Sequence, residues 1–370
     1  MKFTCEKNAL VSAISVASRT VAQKSTIPAL EGIYIRAGVK LTLSGYNLET
    51  GITISVDAEI QQTGACIMPS RLFFDIIRKL PGDTVSISVD EKFKVSIRGG
   101  ISSFSITAMS SEDYPELPEV EDEYAVSMKQ SVLRRMIEEV AFAVSTNESR
   151  PVHTGALFEI SDMCLNMVAV DGFRLAFRRE KLEKLEGGAF SFVTPGSALT
   201  EVKSICADTE DLVTITLGKR HILFEIGDTQ LICRRLEGEF LDYKNAIPRK
   251  NPIQIVVETK ALIESIDRVS VVISDKLKSP VRCLFDHDKV MLSAKTGNGE
   301  AKDVCRVSGD GDKLEIGFNN RYLMEALRYA PADKVKIELN TGVSPAIIVP
   351  VEGEENFLYM VLPVRLKSAE

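Results

Sequence analysis

The sequence predicts an α+β fold made of three tandem, similar domains, and two recurrences carry that expectation. A short strand runs into an amphipathic helix three times: Phe3–Glu6 leads to Leu10 and Ile14, Val126–Lys129 to Leu133 and Ile137, and Ile255–Glu258 to Leu262 and Ile266. Leu10 and Ile14 both recur 123 positions later, and Leu133 and Ile137 both recur 129 positions after that. A second helix repeats at a similar step, and an alternating strand follows it each time. A repeat on this scale is an architecture, and it decides the fold before any single residue does.

The elements follow in order within each repeat. Apolar residues at helical spacing after the first strand mark one buried helix face. The second helix opens at Pro69-Ser-Arg71-Leu72, at Pro195-Gly-Ser-Ala-Leu199 and at Asn319-Asn-Arg321-Tyr-Leu323. An acidic turn comes next, containing Asp83, Asp211 and Asp333. Thr84–Val89, Leu212–Leu217 and Lys334–Leu339 then alternate polar and apolar residues, the pattern of a strand with one face in a core and one in water. Gly297-Asn-Gly299 and Gly309-Asp-Gly311-Asp312 lie between strand-like runs and are read as hairpin turns. The three domains are placed at residues 1–120, 126–247 and 252–370, each long enough to hold its own core.

Composition narrows the function. The chain has 370 residues, 45% of them hydrophobic, and a formal net charge of −7. Seven scattered cysteines show no C-x-x-C pair and are read as reduced, packed thiols. There is no signal peptide pattern and no apolar run long enough for a membrane span, so the expected location is cytoplasmic, without membrane contact. His153, His221 and His287 lie far apart and share no ligand spacing, and neither a phosphate-binding loop nor a nucleophile elbow is present. No metal, cofactor or catalytic constellation is expected, and three near-equal repeats give no reason for one active site.

Charge is segregated even though the total is acidic. Windows around the six repeated helices (6–24, 70–80, 129–150, 196–206, 259–278 and 320–329) together carry +7, which leaves −14 for the rest of the chain. Helices gathered on one side of a continuous sheet would turn these cations toward one space, where a polyanion can be held through phosphates without base readout. The helix argument alone nominates Arg71, Arg78, Lys79, Arg134 and Lys203 for DNA. The chain has no Trp, and aromatics are sparse in the basic stretches, which argues against stacking on single-stranded bases.

Several short segments, in this order over the whole chain, resemble the bacterial beta sliding clamp, the processivity subunit of DNA polymerase III. They are Met1-Lys-Phe-Thr, Thr26-Ile-Pro28-Ala-Leu30, Pro69-Ser-Arg-Leu-Phe-Phe-Asp75, Arg150-Pro-Val-His-Thr-Gly155, Ala169-Val-Asp171-Gly-Phe-Arg-Leu-Ala176, Glu239-Phe-Leu-Asp-Tyr243 and Leu362-Pro-Val-Arg365-Leu366. The resemblance implies the DNA clamp fold: three domains per chain, two chains closing head to tail into a homodimer ring, helices lining the hole and sheets outside. It implies a non-enzymatic clamp that encircles duplex DNA without sequence specificity. Replicative polymerase, clamp loader and repair proteins would dock by short linear motifs.

The same resemblance implies a partner-peptide pocket walled by His153, Thr154, Val170, Gly172, Phe173, Arg174, Leu175, Leu241, Val343, Met360, Val361, Leu362, Pro363, Val364 and Arg365. It adds Lys24, Arg150, Lys276 and Lys278 to the DNA-facing cations. It also puts a first-domain strand edge with Phe104 and Ile106 against a third-domain edge near Val272 and Ile273. Phe173 stands where members often carry His, Leu241 replaces a frequent Pro, and His153 replaces an apolar residue. Two rival readings are an inside-out barrel transferring enolpyruvyl groups, for which no Lys, Arg and Asp cluster around a Gly-rich anion site is evident, and a protein-only scaffold, which the segregated charge disfavours.

Overall fold

A computed structural model describes residues 1–121, 124–273, 279–297, 299–353 and 356–366. The helices are α1 (Lys7–Ala17), α2 (Ser70–Lys79), α3 (Gln130–Val140), α4 (Gly196–Ile205), the short α5 (Tyr243–Ala246), α6 (Thr259–Ser270) and α7 (Asn320–Arg328). Helix α1 buries Leu10, Ala13, Ile14 and Ala17, a stripe at three- and four-residue spacing. Helix α2 buries Phe73, Ile76 and Ile77 and stops ahead of Pro81, which cannot continue it. The side chain of Asn319 accepts a hydrogen bond from Arg321 N at 3.0 Å and so caps α7.

The acidic turns have a structural job that recurs in each repeat. The carbonyl of Asp83 accepts from Lys7 N, that of Asp211 from Gln130 N and that of Asp333 from Thr259 N, each at 2.8 Å. Each bond satisfies one of the N–H groups that a helix start leaves unpaired, and the acidic side chain lies near the positive end of the helix dipole.

Two compact units divide the chain. Residues 1–134, 183–188 and 200–235 form the first; residues 135–182, 189–199 and 236–370 form the second. The first holds a five-stranded sheet in the order Ala58–Gln62, Lys2–Glu6, Thr84–Val89, Lys94–Gly99, Ser102–Thr107. Its nine-stranded sheet joins Leu212–Leu217, His221–Ile226 and Thr229–Arg234 to Thr50–Val56 and the strands beyond. In the second unit a nine-stranded sheet joins Gly155–Ser161, Cys164–Val170 and Arg174–Lys181 to Phe357–Val361 and the strands beyond. A four-stranded sheet has the order Gly299–Arg306, Lys289–Thr296, Val281–Phe285, Leu314–Phe318.

Antiparallel pairing therefore crosses both boundaries between sequence repeats. Thr229 faces Ile54 and Cys233 faces Thr50, so a second-repeat strand continues a first-repeat sheet. Arg174 faces Val361 and Arg178 faces Phe357, so a third-repeat strand continues a second-repeat sheet. The boundary between the two units passes through the middle repeat because its two half-sheets are shared in this way.

The second glycine cluster departs from the expectation. Gly309 and Asp310 are not in a hairpin turn; they belong to a short strand, Ser308–Asp310, that pairs with Gln254–Val256. The next strand, Leu314–Phe318, lies in the other sheet of that unit, so the segment is a crossover. A Cβ on Gly309 would sit 2.5 Å from the Gln254 carbonyl oxygen, and Gly311 has φ +118°, so both positions need glycine.

All seven cysteines are free, and only Cys164 is incompletely buried. Burial pushes the thiols of Cys5, Cys66, Cys206, Cys233 and Cys283 up to about 12, far from the thiolate form that reacts. Among the described residues no helix is long and apolar enough to cross a membrane, and no group of three or more His, Cys, Asp or Glu is placed to hold a metal ion.

Candidate functional site

The strands Cys164–Val170 and Arg174–Lys181 are joined by Asp171-Gly172-Phe173. Asp171 Oδ1 accepts from Phe173 N at 2.9 Å and from Arg174 N at 3.1 Å, while Gly172 takes φ +87° with open space where a Cβ would be. This Asx turn is the physical content of the Asp-Gly pair. It projects Phe173 into solvent, 57% exposed, where its ring stacks on Tyr322 of α7 at 5.7 Å.

Two grooves that share lining residues lie here, and the smaller one borders this turn. One, of about 340 Å³, is lined by Ser145, Asn147, Ser149, Arg150, His153, Asp171, Gly172 and Phe173. The other, of about 460 Å³, is lined by Arg150–His153 and Glu237–Asp242, so Arg150 and His153 belong to both. His153 packs edge-on against Phe240 at 5.4 Å. Burial, then the nearby Arg150 charge, hold its imidazole below the ordinary histidine value, so it is neutral at pH 7.

Of the residues expected to wall a pocket, His153, Gly172, Phe173 and Leu241 line one or other of these two grooves, and the rest lie outside both linings. Val170, Leu175 and Met360 pack in one buried cluster with Val168, Tyr243, Ile347 and Val349. Val361 is fully buried in its strand. Phe173, Leu241 and Val343 are exposed; His153, Thr154, Leu362, Pro363 and Val364 are half-buried; Gly172 and Arg365 are exposed. Leu362 N donates to Phe173 O at 2.9 Å, so the C-terminal segment starts against the Asp171 turn. Beyond the last strand, Val364 bridges Gly317. The Thr154 hydroxyl donates to Pro151 O at 2.7 Å within its own turn.

Arg174 is not a free polar group, because 93% of its surface is covered: it is 7% exposed. Its Nε donates to Asp171 Oδ2 at 2.9 Å, its Nη1 to Glu325 Oε2, and its guanidinium lies over the Tyr322 and Phe142 rings at 4.6 and 5.3 Å. Phe142 in turn stacks on Tyr329 at 5.0 Å. The sequence reading missed Tyr322, Phe142 and Glu325 as supports of this turn. They come from other helical segments, and spacing along the chain carries no sign of their meeting.

The basic residues are placed as follows. Lys24, Arg71, Arg78, Lys79, Arg134 and Arg150 are exposed and Lys203 is half-buried. Within the first unit, Arg19 Nη1 pairs with Glu201 Oε2 at 3.2 Å, which sets the end of α4 beside the turn that follows α1. Arg78 leans on its own helix, 3.5 Å from Asp75 and over the Phe74 ring at 5.4 Å. Lys276 and Lys278 lie outside the described residues. Val272 and Ile273 are not on a strand edge; they fall in the turn after α6, where Thr296 Oγ1 donates to Val272 O at 2.9 Å. The neighbouring free edge is Gly299–Arg306, with Val304 exposed.

Three repeats with shared sheets and amphipathic helices define a clamp-type architecture. Family models for the DNA polymerase III beta subunit match three times: its N-terminal domain at residues 1–118, its central domain at 127–242 and its C-terminal domain at 244–365. The beta sliding clamp of Staphylococcus aureus is 32% identical over 99% of both chains, and that of Bacillus subtilis 29% identical over 99% of this chain and all of its own. The solved B. subtilis sliding clamp superposes with TM-score 0.95 at 28% identity, covering 99% of this chain and 100% of its own. A Pseudomonas aeruginosa clamp solved bound to griselimycin does so with TM-score 0.94 at 27% identity and the same coverage. The chain belongs to the DNA polymerase III beta subunit family, the bacterial beta sliding clamps. Its role is that of a ring-shaped processivity factor for DNA replication, with no catalytic activity of its own.

Proposed function

We propose that the chain, divided into domains at 1–120, 126–247 and 252–370, closes its ring by a third copy of a joint it already makes twice. The observation that carries this is the pattern of strand pairing. The third strand of the second repeat's meander, Thr229–Arg234, adds to Thr50–Val56 of the first repeat. The third strand of the third meander, Phe357–Val361, adds to Arg174–Lys181 of the second. Among the described residues the first meander ends in Ser102–Thr107 with no strand beyond it, and Gly299–Arg306 of the third repeat is likewise a free edge. A second copy supplies each missing neighbour, and closure removes both exposed edges. Phe104 and Ile106 lie on the first edge, and Val272 and Ile273 stand close to the second.

In this reading Lys24, Arg71, Arg78, Lys79, Arg134, Arg150 and Lys203, with Lys276 and Lys278, face the duplex and hold phosphates loosely enough to slide. The groove beside Phe173 takes short apolar motifs of the polymerase, the clamp loader and repair proteins. The protein works in the cytoplasm.

The expected result is a two-chain mass in solution, with retention on nicked circular duplex and run-off once that DNA is linearised. Phe104→Glu with Ile106→Glu should halve the mass and abolish retention on the circle, read by light scattering and gel filtration. Equal loss from circular and linear DNA by the unaltered protein would overturn encirclement. A double variant that stays dimeric would overturn the joint.

A further inference from the structure

The larger groove carries a charge that its apolar walls do not require. Glu237, Glu239 and Asp242 line it, and all three are exposed. Asp242 accepts from Asn245 N at 3.3 Å and from Asn245 Nδ2 at 2.7 Å and so caps α5. Glu237 and Glu239 make no ion pair or side-chain hydrogen bond among the described residues.

The groove's cations do not balance them. Arg150 is the one positively charged residue lining either groove, because His153 is held neutral. Arg174 is committed to Asp171 and Glu325, and Lys244 to Glu159 at 2.8 Å. Three carboxylates against one guanidinium leave the rim negative next to an apolar slot.

We infer that this rim selects partner segments carrying Lys or Arg beside their apolar anchor, and disfavours segments flanked by Asp or Glu. The inference rests on this groove, which meets the Phe173 groove at Arg150 and His153, being part of the partner-peptide site. Its apolar lining of Pro151, Val152, Phe240 and Leu241 supplies the shared part of the affinity, and the rim sets the ranking among partners, since complementary rim charge acts mainly on specificity and association rate. Each exposed rim charge contributes about a two- to fivefold preference at low salt.

The test uses the full chain and one fluorescent peptide core with Leu and Phe anchors, flanked by two Lys, two Gln or two Glu, with affinities read by polarisation. The expected order is Lys, then Gln, then Glu, spanning about tenfold at low ionic strength and closing in high salt, where rim charges are screened. Glu237→Gln with Glu239→Gln should collapse the spread among the three peptides. Both substitutions are at exposed, unbonded positions and leave the Asp242 cap intact. Equal affinity of the three peptides for the unaltered chain, or a spread that survives in the double variant, overturns the rim assignment but leaves the groove in place. Binding of none of the three overturns the groove reading, and the rim assignment with it.

Discussion

Arg174→Ala should cost about 3 kcal/mol of stability, the low end of what breaking a buried ion pair costs. The guanidinium is 7% exposed, and its partners Asp171 and Glu325 are 13% and 22% exposed at their side chains. Alanine takes the guanidinium from two largely covered carboxylates: Asp171 keeps its bonds from the backbone N–H groups of residues 173 and 174, and Glu325 keeps the one from Arg321 Nε at 3.1 Å. It also removes the cation from between Tyr322 and Phe142, a contact worth about 1 kcal/mol more when desolvated. Arg174→Lys should fall between the two, since it restores charge without the planar fork.

The pH dependence follows from Glu325. Burial pushes its carboxyl up, but hydrogen bonds from Arg174 and Arg321 outweigh burial and hold it below the usual 4.5. A carboxylate depressed in the folded state stabilises above its unfolded value, and that contribution fades as pH falls through the folded one. The gap between wild type and Arg174→Ala should therefore be full at pH 7 and shrink below about pH 4.5. Because a three-domain chain need not unfold in one step, hydrogen exchange along Arg174–Lys181 is the local readout beside urea unfolding. Peptide affinity should drop as well, since the Phe173 ring is steadied by the Tyr322 it shares with Arg174. A loss under about 0.5 kcal/mol, the range of an ordinary surface change, would refute the account.

The repeats were legible because they write the same physics three times. Helix starts at Lys7, Gln130 and Thr259 each bond an acidic turn, and the strands after those turns alternate with period two. Such local rules leave marks in composition and spacing.

Contacts assembled across the chain left no such mark. Arg174 reads as a polar groove residue until Glu325, 151 positions away, is seen to hold it. Gly309-Asp-Gly311 reads as a hairpin because turns are the common use of that composition, yet the same glycines serve a strand pressed against Ile255. The family resemblance places a strand edge near Val272 and Ile273, but the helix before them runs to Ser270 and leaves them in its closing turn. Pairing partners decide edges, and pairing is not local.

Lys24→Gln, Arg71→Gln and Arg78→Gln together should flatten the salt dependence of DNA retention. Arg150 is left out because it lines both grooves and its loss would disturb peptide binding as well. The three chosen side chains are exposed, line neither groove, and have at most the 3.5 Å contact of Arg78 with Asp75 as an internal ion pair. Each phosphate neutralised contributes about 0.9 to the slope of log affinity against log salt, so the triple variant should lose nearly 3 from that slope. Between about 50 and 200 mM salt the unaltered clamp would then weaken roughly fortyfold more than the variant. Retention on closed circular DNA should persist in the variant at every salt, because topology holds the ring where charge does not, while run-off from linear DNA quickens at low salt. An unchanged slope would place the phosphate contacts on other helices, with Lys79, Arg134 and Lys203 the next to neutralise. A slope near zero in the unaltered clamp would mean that the ring holds its duplex by enclosure alone.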